Sequence, residues 1–277
     1  MGQEVTYQDR FLVVDGIRIH VRIEGSGPDL VLVHGLGGPL MWQKVVELLS
    51  LRFRIIVVDL PGFGQSDSPS RDFFTSEYVE FLFQLLKELG CMKIHLCGIS
   101  YGGQVAVTFA KFHPEMIDRL LLICSTGLLK KPFILRYEIL KTVFRFIVKC
   151  TVLRSERLLC LFGARSFYSV ANRPADLCPS FYQQLSFAGH RDVWLNTFID
   201  AFEGGDRFAE ILTEIRISTC IMWGENDKTV SPEFAEEFHR RIVNSTLIVY
   251  PQCAHSVPLE KPDELCMDVV EFLERKK

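Results

Sequence analysis

The sequence has no uncharged apolar run approaching the roughly 18 residues that a membrane-spanning helix needs. Its first residues, MGQEVTYQDRF, place Glu4 and Asp9 where a signal peptide needs an apolar core, so a cytoplasmic protein is expected. MGQEVT does match the M-G-x-x-x-[ST] pattern for myristoylation at Gly2, a short pattern with meaning only in a eukaryotic host. Neither sign of charge is in large excess: 31 Lys and Arg stand against 34 Asp and Glu, net −3, which gives no reason to expect nucleic acid as a partner. CxxC spacing is missing. The nine cysteines are an odd number scattered through apolar contexts such as LLICS, RLLCLF and TCIMW, and none stands near a histidine in a metal-like spacing. A zinc site or a disulfide framework is therefore a poor reading, and reduced, mostly buried thiols are expected. Internal repeats and low-complexity linkers are absent as well.

The 277 residues are 48% hydrophobic, enough for one large α/β domain with an insertion or for two small domains. FLVVDGIRIHVRIEG reads as two strands joined at Asp15-Gly16, a hairpin dipeptide. DLVLVHG is a short apolar strand, WQKVVELLS a helix, and RIIVVDLPGFGQSD a buried strand running into a loop rich in glycine and proline. TSEYVEFLFQLLKELG predicts a helix capped by Thr75 or Ser76 and stopped by Gly90. KIHLCG is a strand, YGGQVAVTFAKFHP a helix that ends before Pro114, and RLLLICST a strand again. Later come STCIMWG (strand), PEFAEEFHRRI (helix), TLIVYP (strand) and KPDELCMDVVEFLERK (helix). Continuous apolar strands alternating with helices predict a mostly parallel sheet covered on both faces, with the opening hairpin antiparallel at one edge. The alternation breaks between about Gly127 and Arg207, which reads as helices alone. The expected division is a core of residues 1–126 and 208–277 and a helical cap of 127–207.

The stretch CGISYGG sits between a predicted strand and a predicted helix. Gly98, Ser100 and Gly102 fit G-x-S-x-G, in which small residues on either side let the backbone fold back and leave the serine hydroxyl exposed at the sheet's C-terminal edge. The bland alternative is a glycine turn needed only for close packing. A serine hydroxyl is a weak nucleophile and needs a base. Of seven histidines, His20 alternates along an edge strand, His95 starts the strand leading to Ser100, His113 ends a helix, His239 lies on a polar helix and His190 in the cap. His255, in YPQCAHSVPLEKP, follows the last strand at the edge where Ser100 also sits. A carboxylate should orient it, and CIMWGENDKTVS offers Asp227, with Glu225 as the fallback. The order Ser100, Asp227, His255 is the one that nucleophile-elbow hydrolases require. An oxyanion would be held by the N–H of Tyr101 and by a second from HGLGG, where Leu36 is expected. There His34 and Gly35 form the supporting loop or a plain strand terminator.

In HGLGG (34–38), DLPGFGQSD (59–67), GISYGG (98–103), WGENDKTVSP (223–232) and AHSVPLEKPDE (254–264), the chain resembles α/β-hydrolase-fold enzymes with a helical cap. The resemblance implies an eight-stranded, mostly parallel sheet and a serine hydrolase of the esterase or lipase type, with no metal and no organic cofactor. The family usually has glycine before the histidine, where this chain has Ala254; Glu260 matches a recurring structural position. Dehalogenases and epoxide hydrolases of this fold use an aspartate nucleophile and dienelactone hydrolases a cysteine, which Ser100 and the misplaced Cys97 do not fit. The C–C bond hydrolases share the Ser–Asp–His set but commonly carry tryptophan after the histidine, where this chain has Ser256. A non-catalytic binding protein of this fold is the third reading.

From Gly127 to Pro174 there are ten basic residues and two acidic ones, a net of +8, which leaves −11 for the rest of the chain. Lys141, Arg145 and Lys149 recur every four residues beside apolar positions such as Phe144, Ile147 and Val148. Such a helix can lie on an anionic membrane surface. Alternatively, it lines a pocket with its apolar face while its charges are merely solvated. Either way an apolar pocket and a small hydrophobic ester substrate are expected.

Overall fold

The structure, a computed structural model, describes residues 7–275, so the Gly2 pattern lies outside the described residues. It opens with a hairpin of β1 (Tyr7–Val14) and β2 (Ile17–Glu24). The turn residues Asp15 and Gly16 both have positive φ, 51° and 75°, the geometry whose twist matches that of paired strands. Next come β3 (Asp29–Val33), α1 (Val46–Ser50), β4 (Arg54–Val58) and α2 (Thr75–Glu88). Then follow β5 (Ile94–Ile99), α3 (Tyr101–Phe112) and β6 (Ile117–Ile123). Between β6 and the next strand lie only helices: α4 (Phe133–Arg136), α5 (Glu138–Cys150), α6 (Glu156–Gly163), α7 (Leu177–Gln184), α8 (His190–Asp200) and α9 (Gly205–Glu214). The described chain closes with β7 (Thr219–Gly224), α10 (Glu233–Arg241), β8 (Ser245–Tyr250), α11 (Val257–Glu260) and α12 (Pro262–Glu274).

The eight strands form one sheet in the order β1-β2-β4-β3-β5-β6-β7-β8. The pairs β1·β2 and β2·β4 are antiparallel, and every pair from β4·β3 to β7·β8 is parallel. Burial explains the composition of the strands. Every residue of β5 and β7 is buried, whereas β8, at the edge, is half exposed. α3 packs against β5, α2 and α9; α1 meets α12; α10 covers β7 and β8. The strand order reverses around β3, so the carboxyl ends of β3, β5, β6, β7 and β8 share one edge, where α/β sheets bind ligands.

Four local expectations are corrected. The helix expected over WQKVVELLS is a 3-10 turn, Pro39–Trp42, followed by the five-residue α1. The residue before α2 is Phe74, whose N–H is capped by Glu77 Oε2 at 3.0 Å, and Thr75 is already inside the helix. His20 is not on an edge strand: β1 is the edge, and His20 is buried between Asp9 and Asp59. α9 runs through the boundary expected at residue 207 and packs on α3 and α10.

Candidate active site

Ser100 stands at the apex between β5 and α3 with φ 57°, a left-handed conformation uncommon for a residue with a side chain. Backbone bonds from three directions hold it there. Its N–H donates to Ile123 O at 2.9 Å, and its carbonyl accepts from Gly103 N at 3.0 Å and Thr126 N at 3.0 Å. Gly98 and Gly102 are required by space. A Cβ on Gly98 would lie 2.2 Å from Gly102 O, and one on Gly102 would lie 2.2 Å from Val33 O. Gly35 makes the matching approach from the other loop, where a Cβ would lie 2.7 Å from Ser100 Cβ and 3.1 Å from Tyr101 N. The loop after β3 is thus pressed against the first turn of α3, whose free N–H groups and positive dipole end face the same spot.

His34 secures that loop. Leu60 N–H donates to its Nε2 at 3.1 Å, so Nδ1 carries the proton and donates to Gly35 O at 2.7 Å. Full burial lowers the imidazole's pKa and keeps it neutral, in agreement with that tautomer. Trp194 of α8 donates its indole N–H to Leu36 O at 3.0 Å. Tyr101 is tied down from the same helix: its buried hydroxyl donates to Asp200 Oδ2 at 2.7 Å. Thr75 N–H and Thr75 Oγ1 reach the same oxygen at 2.9 and 2.6 Å. Nothing in the sequence pattern signalled Trp194 or Asp200, which lie about a hundred residues or more from their partners.

His255 and Asp227 meet across the loops after β8 and β7. His255 Nδ1 lies 2.6 Å from Asp227 Oδ2, and both side chains are buried. Asp227 Oδ1 accepts from Thr229 N–H at 2.7 Å and Val230 N–H at 2.9 Å, which fixes the carboxylate's orientation. The two loops are locked by Asn226 N–H on Cys253 O at 2.8 Å. They also abut at Gly224, where a Cβ would lie 2.0 Å from Ala254 O. Glu260 spans the turn, its Oε1 accepting from Ala254 N–H at 3.0 Å and its Oε2 from Tyr168 N–H at 2.7 Å. Glu225 is exposed and is not brought to His255.

Cys124 is a neighbour that the sequence did not announce. It directly follows β6 with φ 44°, and its Sγ lies within 4.8 Å of ligand atoms of Asp227 and His255. Burial and the Asp227 charge push its thiol well above the ordinary value, so it stands there as a neutral group. The nine cysteines are free thiols, six of them buried.

Ser100, His255, Gly35 and Leu36 line one cavity of about 160 Å³. Its far wall is apolar and comes from α6, α7 and α8: Leu159, Phe162, Phe181, Trp194 and Phe198. Trp194 and Phe198 stack at 5.6 Å, with Phe162 edge-on to both. No residue of α5 lines this cavity, so the pocket-lining reading of the basic helix is corrected. Among the described residues, Arg173 is the one lysine or arginine on the wall. The other histidines have structural partners or exposed positions: His190 Nε2 lies 3.0 Å from Ser66 O, His113 stacks on Phe83, and His239 is exposed.

The profile of the alpha/beta hydrolase fold family matches residues 28–262. An uncharacterized hydrolase, YugF, of Bacillus subtilis is 27% identical over 95% of this chain and 97% of its own length. A monoacylglycerol lipase of Mus musculus is 26% identical over 90% of this chain and 76% of its own. Among solved structures, the 2-hydroxy-6-oxo-6-phenylhexa-2,4-dienoate hydrolase of Rhodococcus sp. strain RHA1 superposes with TM-score 0.83 at 20% identity, covering 98% of this chain and 100% of that one.

Proposed function

The chain belongs to the α/β-hydrolase fold family, and from that premise we propose that it is a serine hydrolase cleaving carboxylic esters of a hydrophobic acyl or aromatic group. The observation that carries the reading is the convergence of Ser100, on its strained apex, with the His255–Asp227 pair at the wall of one apolar cavity. Ser100 Oγ attacks the ester carbonyl while His255 Nε2 takes its proton. Asp227 holds the imidazole through Nδ1 and stabilises the cation that forms. The tetrahedral oxyanion sits between the N–H groups of Tyr101 and Leu36. His255 then gives its proton to the departing alcohol, and a water it activates releases the acyl group. Ser100→Ala should lower hydrolysis of short p-nitrophenyl esters on the order of 10⁴-fold or more while the fold persists by circular dichroism. In the wild type a fluorophosphonate probe should label Ser100. Near-normal turnover in the variant, or a folded wild type that stays unlabelled, overturns the reading; the second outcome would favour a non-catalytic binding protein.

C–C bond hydrolysis is the second reading, and Arg173 is what favours it. A lone cation in an apolar cavity suits a substrate with a carboxylate, such as a dienoate. Against it, Arg173 Nη1 is already engaged with Cys160 O at 3.1 Å, and Ser256 follows the histidine in place of tryptophan. Turnover of a vinylogous diketo acid, compared with a neutral ester of similar size, decides between them.

A further inference from the structure

α5 turns its apolar residues the unexpected way. Ile139, Val143, Phe146 and Ile147 form one outward stripe, each between 50 and 79% exposed. Phe144 and Val148 pack against the core, with Phe144 stacked on Phe198 at 6.0 Å, and Leu140 beside them is half-buried. None of the helix's residues is buried. The apolar surface continues in both directions. Before α5, Phe133 and Tyr137 are 66% and 54% exposed and pair at 5.1 Å. Beyond it, α5 and α6 both pack on the turn at Val152–Arg154, and α6 exposes Leu161 and Phe162 at 61% and 48%. Phe162 is also a wall of the catalytic cavity, so this surface reaches the mouth of the pocket. An exposed apolar face of this extent marks an interaction site.

Charge says what covers it. The segment that carries the face has a net of +8, and only Lys131, Lys141 and Lys149 have an Asp or Glu partner within ion-pair distance among the described residues. Lys130, Arg136, Arg154, Arg157 and Arg165 are exposed. A second copy of the chain would bring +8 against +8, which opposes self-association through this face. An acidic lipid surface complements it, with apolar side chains at the acyl boundary and lysines and arginines at the headgroups. We propose that α4, α5 and the outer side of α6 dock on an anionic phospholipid bilayer. Phe162 then lies at the lipid side, so a lipophilic substrate enters the cavity from the bilayer. The docking stands without the ester reading; only what enters depends on it.

Sedimentation with vesicles of phosphatidylglycerol and phosphatidylcholine, against vesicles of phosphatidylcholine alone, tests this on the full chain. The wild type should pellet with the anionic vesicles and be released by high salt. Ile139→Ser with Phe146→Ser should lower the bound-to-free ratio by about tenfold or more. Both positions are exposed and outside the cavity, so turnover of a soluble short ester should be unchanged. Arg145→Glu with Arg157→Glu should lower binding similarly without touching the apolar stripe. A wild type that stays in the supernatant, or a serine variant that binds as well as wild type, overturns the proposal. So does a wild-type dimer that the serine variant splits without any vesicle binding, because the face would then belong to a second copy. A protein that binds vesicles but hydrolyses no ester leaves the docking standing and overturns the ester reading instead.

Discussion

A methyl group tests the elbow most directly. Gly102→Ala would drive a Cβ to 2.2 Å from Val33 O and 2.6 Å from His34 O, both backbone atoms of a central strand end that cannot swing aside. Overpacking of this kind costs about 1–3 kcal/mol, and the strand end it displaces is the one that carries the oxyanion loop. The variant should therefore melt lower than wild type and also lose turnover. Gly163, at the end of α6, is the contrast: nothing beyond its own stretch of backbone lies within 4 Å of its Cβ position and its φ is helical, −69°. Gly163→Ala should raise stability by about 0.4–1 kcal/mol, because it restricts only the unfolded chain. Thermal melts of the two variants should move in opposite directions; equal shifts of one sign would show that the crowding at Gly102 is not what holds the turn.

At the scale of elements, α8 does more than cover the pocket. Through Trp194 it holds the carbonyl of Leu36, and through Asp200 it holds Tyr101, so one cap helix positions both residues whose N–H groups are assigned to the oxyanion. Asp200→Ala leaves the Tyr101 hydroxyl, the Thr75 N–H and the Thr75 hydroxyl without their acceptor. The expected cost is about 1–3 kcal/mol of stability, with kcat falling more than KM rises, because α3's first turn loosens while the cavity wall stays. A variant with lowered stability and unchanged kcat would make Asp200 a purely structural tie. Such ties were illegible in the sequence because their partners lie far apart and follow no local period. What was legible follows local rules. Fully buried strands read as continuous apolar runs, and the serine turn needs its glycines within two residues. The loops bearing Asp227 and His255 follow strands whose common direction places them at one edge. The orientation of α5 was not legible, since a period of 3.6 gives the stripes of a helix but not which stripe meets the protein. The edge position assigned to His20 failed for a related reason: only strand pairing shows that β1 lies outside β2.

His20 links that pairing to the stability of the whole molecule. It sits on β2 with Nε2 at 2.8 Å from Asp9 Oδ1 on β1 and Nδ1 at 2.9 Å from Asp59 Oδ2 just beyond β4. Asp59 Oδ2 also accepts from Gln65 N–H at 2.8 Å, so the cluster joins three strands to the loop that follows them. Burial by itself lowers the imidazole's pKa, but the two carboxylates outweigh it and hold the group above its ordinary 6.5. The bound proton therefore stabilises the fold. That contribution is fully present below the unfolded value and is lost as pH rises through the raised folded value. His20→Asn removes the charge and one of the two links. Hydrogen bonds to a charged group contribute about 1.5–3 kcal/mol, so the variant should be less stable than wild type by roughly that amount near pH 5.5. The gap should narrow as pH rises through that raised folded value, where the wild type's own imidazole loses its proton. Urea unfolding of both proteins across this range measures it directly. A gap that stays constant with pH would mean that His20 acts through packing against Phe11, 5.1 Å away, and not through its charge.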